Sequence, residues 1–158
     1  MTITLLLLSL LQPAGHQHDQ GVKDRGAHVM GFDQDQTVHH FRLHADGGSI
    51  DIAVKQDGDA ATGAANLAAI RAHLPHIAQM FGDGNFEAPM LIHATDVPGT
   101  RTMAELKNRL RFVYVETPQG GRVDIFTSDP RAIAAVHDFM RFQIRDHHTG
   151  DPLTVTPR

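Results

Sequence analysis

Two stretches of the chain alternate polar and apolar positions on either side of a pair of glycines. His39 to His44 leads through Gly47-Gly48 into Ile50 to Val54, and Arg111 to Val115 leads through Gly120-Gly121 into Arg122 to Thr127. A period of two, interrupted by the residue that most readily takes positive φ, predicts two β-hairpins. After each hairpin the period lengthens. Leu67, Ile70, Leu74, Ile77 and Phe81 recur at helical spacing, as do Ile133, Val136, Met140 and Ile144. Ser128-Asp129-Pro130 opens the second helix with a capping side chain and a proline in the first turn. Pro75 interrupts the first and predicts a kink or a split near residues 72–74.

The two ββα stretches form an internal repeat, spanning about residues 37–82 and 109–148, in which Gly47-Gly48-Ser49-Ile50-Asp51-Ile52 recurs as Gly120-Gly121-Arg122-Val123-Asp124-Ile125. The simplest assembly is α+β: a two-layer sandwich with an antiparallel four-stranded sheet and both long helices on one face. Residues 37–151 then make a single domain. Between the repeats, Phe86 to His93 reads as a short strand or extended loop, and Thr102 to Arg109 as a short helix. Residues 1–15, with the run Leu5 to Leu8, resemble the apolar end of a secretory signal peptide and are too short for the roughly 20 residues of a membrane-spanning helix. They predict a periplasmic or secreted protein with no stable membrane span after signal removal. Residues 16–36, polar and glycine-rich, read as a flexible histidine-containing tail, and 152–158 as a C-terminal tail.

Composition narrows the chemistry. The chain has 158 residues, twelve histidines, no cysteine and a formal charge of -4. Without cysteine there are no disulfides, thiolate zinc sites or iron–sulfur clusters, and scattered Lys and Arg give no stripe for nucleic acid. Imidazole and thioether ligands remain. His73, His76 and Met80 fall on one side of the first long helix, where the repeat is broken, since Phe139, Phe142 and Asp146 stand at the matching places. With Met90 or His93 from the segment that follows, they offer nitrogen and soft sulfur donors suited to copper. His16 and His18 add a second candidate metal site in the tail. His39 and His40 face opposite sides of a strand, so one of them meets the core. His137 reads as a satisfied core-edge residue, and His147 and His148 as cations favouring a helix C-terminus.

The expected function is binding, sequestration or delivery of a transition metal, with copper as the leading ion. The first alternative is a haem or other apolar planar ligand, held by one histidine and a wall of Phe81, Phe86, Phe139 and Phe142. The second is a non-catalytic interaction protein, with a homodimer among its forms. Catalysis finds no G-x-S-x-G elbow, Walker loop or H-E-x-x-H helix, and Asp51 and Asp124 read as repeated strand chemistry.

The runs from His73 to Phe81, from Gly84 to Met90 and from His137 to Ile144 resemble small exported bacterial proteins of unsettled role, over about residues 16–151. Some such proteins carry the label aspartate carbamoyltransferase. That enzyme family is far longer, with two α/β domains, and binds carbamoyl phosphate through a Ser-Thr-Arg-Thr loop and a His-Pro motif. Gly99-Thr100-Arg101-Thr102 imitates the loop alone, so carbamoyl transfer is not expected.

Overall fold

The computed structural model describes residues 14–57 and 59–158. Strands β1 (Thr37–His44), β2 (Gly47–Val54), β3 (Arg111–Thr117) and β4 (Gly120–Phe126) form an antiparallel sheet in the order β1-β2-β4-β3. The two hairpins therefore meet along β2 and β4. Ile50 pairs with Val123, its own counterpart in the repeat, so the quasi-twofold axis passes between them.

The paired glycines are not the turns, which are Ala45-Asp46 and Pro118-Gln119. They sit where the central strands and helices come closest. A Cβ on Gly47 would lie 2.1 Å from the Ile125 carbonyl oxygen, and one on Gly120 would lie 1.9 Å from that of Ile52. Gly48 and Gly121 lie beneath helix side chains, with hypothetical Cβ positions 3.0 Å from Met140 Cε and 2.9 Å from Leu74 Cδ1. Each repeat's helix covers the other repeat's glycine.

Those helices are α2 (Ala60–Gly82) and α5 (Pro130–Asp146), both on one face of the sheet, α2 mainly over β3 and β4 and α5 over β1 and β2. Their starts are alike. Asp59 accepts from the backbone N–H groups of Ala61 and Thr62, and Asp129 from those of Arg131 and Ala132. The core between the layers is Phe41, Leu43, Ile50, Ile52, Val123 and Ile125 against Ile70, Leu74, Val136, Phe139 and Met140. Pro75 does not split α2. It lies on the exposed side, where water can satisfy the carbonyl that a helix proline leaves unpaired.

Two segments between and before the repeats depart from the sequence reading. Phe86 to His93 is not extended: α3 (Glu87–His93) is a helix, started by Asn85, whose side chain accepts from the Glu87 N–H, with Pro89 tolerated in its first turn. It buries Ala88 and Ile92, four residues apart. The stretch read as a flexible tail contains α1 (Ala14–Met30), whose stripe of Val22 and Met30, followed by Phe32, is buried against the domain. Arg25 fixes α1 to α3 by donating from Nε to the Ile92 carbonyl at 2.7 Å. Scarce apolar residues and scattered glycines hide a helix whose partner is distant in sequence. Short α4 (Thr100–Glu105) precedes a 3-10 turn at Lys107–Arg109. Residues 152–158 are also docked, along the free edge of β1, where Thr156 N donates to the Leu43 carbonyl at 2.8 Å. No described helix is long and apolar enough to cross a membrane.

Candidate functional site

Alternation along β1 sends His39 to the helix-covered face and His40, Arg42 and His44 to the open one, because successive strand side chains point to opposite sides. On the covered side His39 enters a cluster of rings. It stacks on His147 with centroids 5.4 Å apart and planes 12° apart, and is flanked by Phe32 and Phe41 at 6.1 and 6.3 Å. His93 meets His147 edge-on at 4.9 Å and Phe142 at 5.0 Å. His73 meets Phe32 edge-on at 5.8 Å.

Five elements deliver these rings, with α2 supplying His73. The turn after α1 supplies Phe32, β1 supplies His39, the C-terminus of α3 supplies His93, and His147 caps α5. His93 is held on both sides. Its Nδ1 lies 2.5 Å from an Asp146 carboxylate oxygen and its Nε2 lies 3.0 Å from Oε1 of Gln143. With an oxygen acceptor facing each ring nitrogen, the orientation of His93 is fixed. By contrast, Nε2 of His39 is enclosed and has no hydrogen-bond partner, and no hydrogen bond reaches the His147 ring from the described residues.

Burial keeps His39, His73 and His147 neutral. It pushes His39 down to about 4, helped by the neighbouring His40 and His73, and His73 down to about 4, helped by His76. His147 falls to about 3 for the same first reason, reinforced by His39 and His93 against the opposing pull of Asp146. The helix-dipole reading of His147 therefore does not apply at neutral pH, since the ring carries no charge there. His39 and His147 form part of the wall of a cleft of about 530 Å³ between α1, β1 and the end of α5, which Lys23, Thr37, Lys55 and His148 also line.

The five residues singled out from the sequence are dispersed. His73 and His93 reach the ring cluster from opposite ends. His76 is exposed on α2, Met80 is half-buried against the core, and Met90 lines a separate cleft with Phe86 and Gly99. Met90 and His93 lie three apart on a helix and are not opposed as strand residues would be. The side chains of His16 and His18 lie outside the described residues. Among the described residues, no group of three or more His, Asp or Glu side chains is arranged to hold a metal ion. Phe81, Phe86 and Phe139, expected to wall an apolar ligand site, fill the core instead, with Phe81 and Phe86 stacked at 4.6 Å.

His39 and His147 are the members of the cluster that sequence spacing did not select. The adjacent pair His39-His40 on an alternating strand did predict that one of them turns inward. Nothing local marked His147 as its partner, because the two meet only when the end of α5 folds over β1. His137 is the satisfied core residue expected, its Nε2 lying 2.8 Å from the His44 carbonyl.

The open face is a different site. Arg42 pairs with Asp51 at 2.5 Å, and Arg122 with Asp124 at 3.1 Å, which gives the repeated aspartates a structural role. Burial raises the Asp51 pKa, against the pull of Arg42 and Arg122. Asp151 bridges the edge of β1, accepting from Phe41 N at 2.9 Å and contacting His40 Nδ1 at 2.9 Å. Comparison with protein-family models, curated proteins and solved structures finds no match for this chain.

Proposed function

We propose that the protein binds a transition-metal ion, copper foremost, at the cleft wall where His39 and His147 stack, and that it sequesters or delivers the ion in an exported setting. The observation that carries this reading is the enclosed, unpartnered Nε2 of His39 beside a neutral His147 ring. Neutral imidazole is the ligating form, so these rings need release no proton at neutral pH to accept a metal. His93, oriented by Asp146, buttresses His147 from the other side.

Two metal–nitrogen bonds of about 2 Å each span about 4 Å. Parallel rings with centroids 5.4 Å apart must therefore tilt toward a shared ion. Lost stacking costs about 1 kcal/mol, small beside the roughly 8 kcal/mol of a micromolar site. Water or a cleft side chain completes the coordination shell. Haem finds less support, because three of the four phenylalanines expected to wall it are engaged with one another.

The test is Cu(II) titration of untagged protein, followed by calorimetry and electron paramagnetic resonance. Binding is expected to disappear in His39→Gln and His147→Gln and to survive in His76→Ala and Met80→Ala. Full retention in both glutamine variants overturns the site. Loss in the α2 variants instead moves the ion to the stripe read from the sequence.

A further inference from the structure

The open face of the sheet holds a guanidinium in a three-sided pocket. Arg158 donates from Nη1 to Asp124 Oδ1 at 2.7 Å, from Nε to Asp46 Oδ1 at 3.0 Å and Oδ2 at 3.3 Å, and from Nη2 to the Ile125 carbonyl at 3.0 Å. Its guanidinium lies 4.1 Å from the Phe126 ring centroid. Two carboxylates, a backbone acceptor and an aromatic ring match the planar fork of arginine, and a lysine ammonium could not meet all of them at once.

Two residues earlier the same segment is held by backbone. Thr156 N and Oγ1 both donate to the Leu43 carbonyl, at 2.8 and 3.2 Å, and His44 Nδ1 lies 3.1 Å from the Thr156 carbonyl. Pocket and strand edge together read a threonine and, two positions on, an arginine. The hold is polar. Leu153 and Val155, the larger apolar residues of the segment, are exposed, so little apolar burial opposes its release.

We propose that the Asp46, Asp124 and Phe126 pocket, with the adjoining edge of β1, is a recognition site for an extended Thr-x-Arg segment of a partner polypeptide, held closed in cis by Arg158. Every polar contact that the cis segment makes can be re-formed by a segment arriving in trans, which adds itself to the strand edge as a short β-augmentation. The charge balance favours this ligand. Among the described residues, removal of Arg158 leaves Asp46 without a guanidinium and Asp124 with Arg122, while Arg111 stays 4.3 Å from the Phe126 ring centroid.

The experiment uses the full chain and the probe acetyl-Thr-Pro-Arg-amide, followed by chemical-shift changes at Phe126 and Asp124. The Arg158→Ala protein is expected to bind at least about tenfold more tightly than the wild type, in which the pocket is filled. The same probe with lysine in place of arginine is expected to bind at least about tenfold more weakly. Arg158→Lys, which keeps the charge and loses the fork, is expected to fall between the two proteins. Equal binding by wild type and Arg158→Ala, equal binding of the two probes, or no binding by either protein overturns the proposal.

Discussion

The two faces of the sheet treat the same residue type in opposite ways. On the covered face His39 is packed among Phe32, Phe41 and His147 and titrates at about 4, whereas on the open face His40 lies beside the Asp151 carboxylate. One peptide bond separates them. Inside, imidazole acts as a neutral aromatic ring. Outside, the charged groups stand in partnered sets, Arg42 with Asp51, Arg122 with Asp124 and Arg158 with both Asp46 and Asp124. The lesson is that a count of histidines says little until the face of each is known, because desolvation decides which protonation state the fold can hold.

The contrast breaks most sharply under a fixed charge. His39→Lys is expected to destabilise the protein by about 3 to 5 kcal/mol, since it buries an ammonium among rings. His40→Lys, able to pair with Asp151, is expected to stay within about 1 kcal/mol of the wild type. Chemical denaturation of the two variants measures the difference, and equal losses would abolish the distinction between faces.

Acid sharpens the same comparison. His39, His73 and His147 have folded pKa values of about 4, 4 and 3, below the roughly 6.5 of an unfolded histidine. As pH falls through about 6.5 the unfolded chain takes up protons that the fold refuses, so stability declines until about pH 3 to 4, where the folded rings also protonate. Each unit of depression corresponds to about 1.4 kcal/mol, and the loss by about pH 4.5 is expected to reach several kcal/mol. Replacing His147 with Phe, which cannot be protonated, is expected to flatten the melting temperature against pH between about 7 and 4.5. An unchanged slope would show that His147 does not contribute.

On the open face the effects are smaller and sensitive to salt. Arg158→Ala is expected to cost about 1 kcal/mol at low ionic strength and less in about 1 M salt, because Arg158 itself and its partner Asp46 are partly exposed and screened. The His39 variants should show no such dependence. Smallest of all, His76→Ala on the exposed side of α2 is expected to change stability by less than about 0.5 kcal/mol.

Much of the architecture was legible in the chain. Period-two and period-3.6 runs located both hairpins and both long helices, and the repeated Gly-Gly-x-x-Asp-Ile segment marked the two units as related, while the central pairing of β2 with β4 came only with the structure. The reason for the glycines was not legible, since the close approach of Gly47 to Ile125 is a contact between repeats. Nor was α3, where Pro89 and seven residues leave too little pattern to separate helix from strand. The candidate site was read in part. His73 and His93 reach the cluster, while His76, Met80 and Met90 do not, because helical spacing places residues on one side of a cylinder without saying what faces them.

Sequence by itself determined the α+β class, the repeat, the exclusion of thiol chemistry and the opposed directions of His39 and His40. These follow from local periodicity and composition, which every segment carries within itself. Tertiary structure alone decided that α1 is folded against the domain, that His147 stacks on His39 and that Arg158 occupies the open face. Each is a meeting of groups far apart in the chain. Such contacts depend on how the layers pack, and packing is a property of the whole chain that no single window contains.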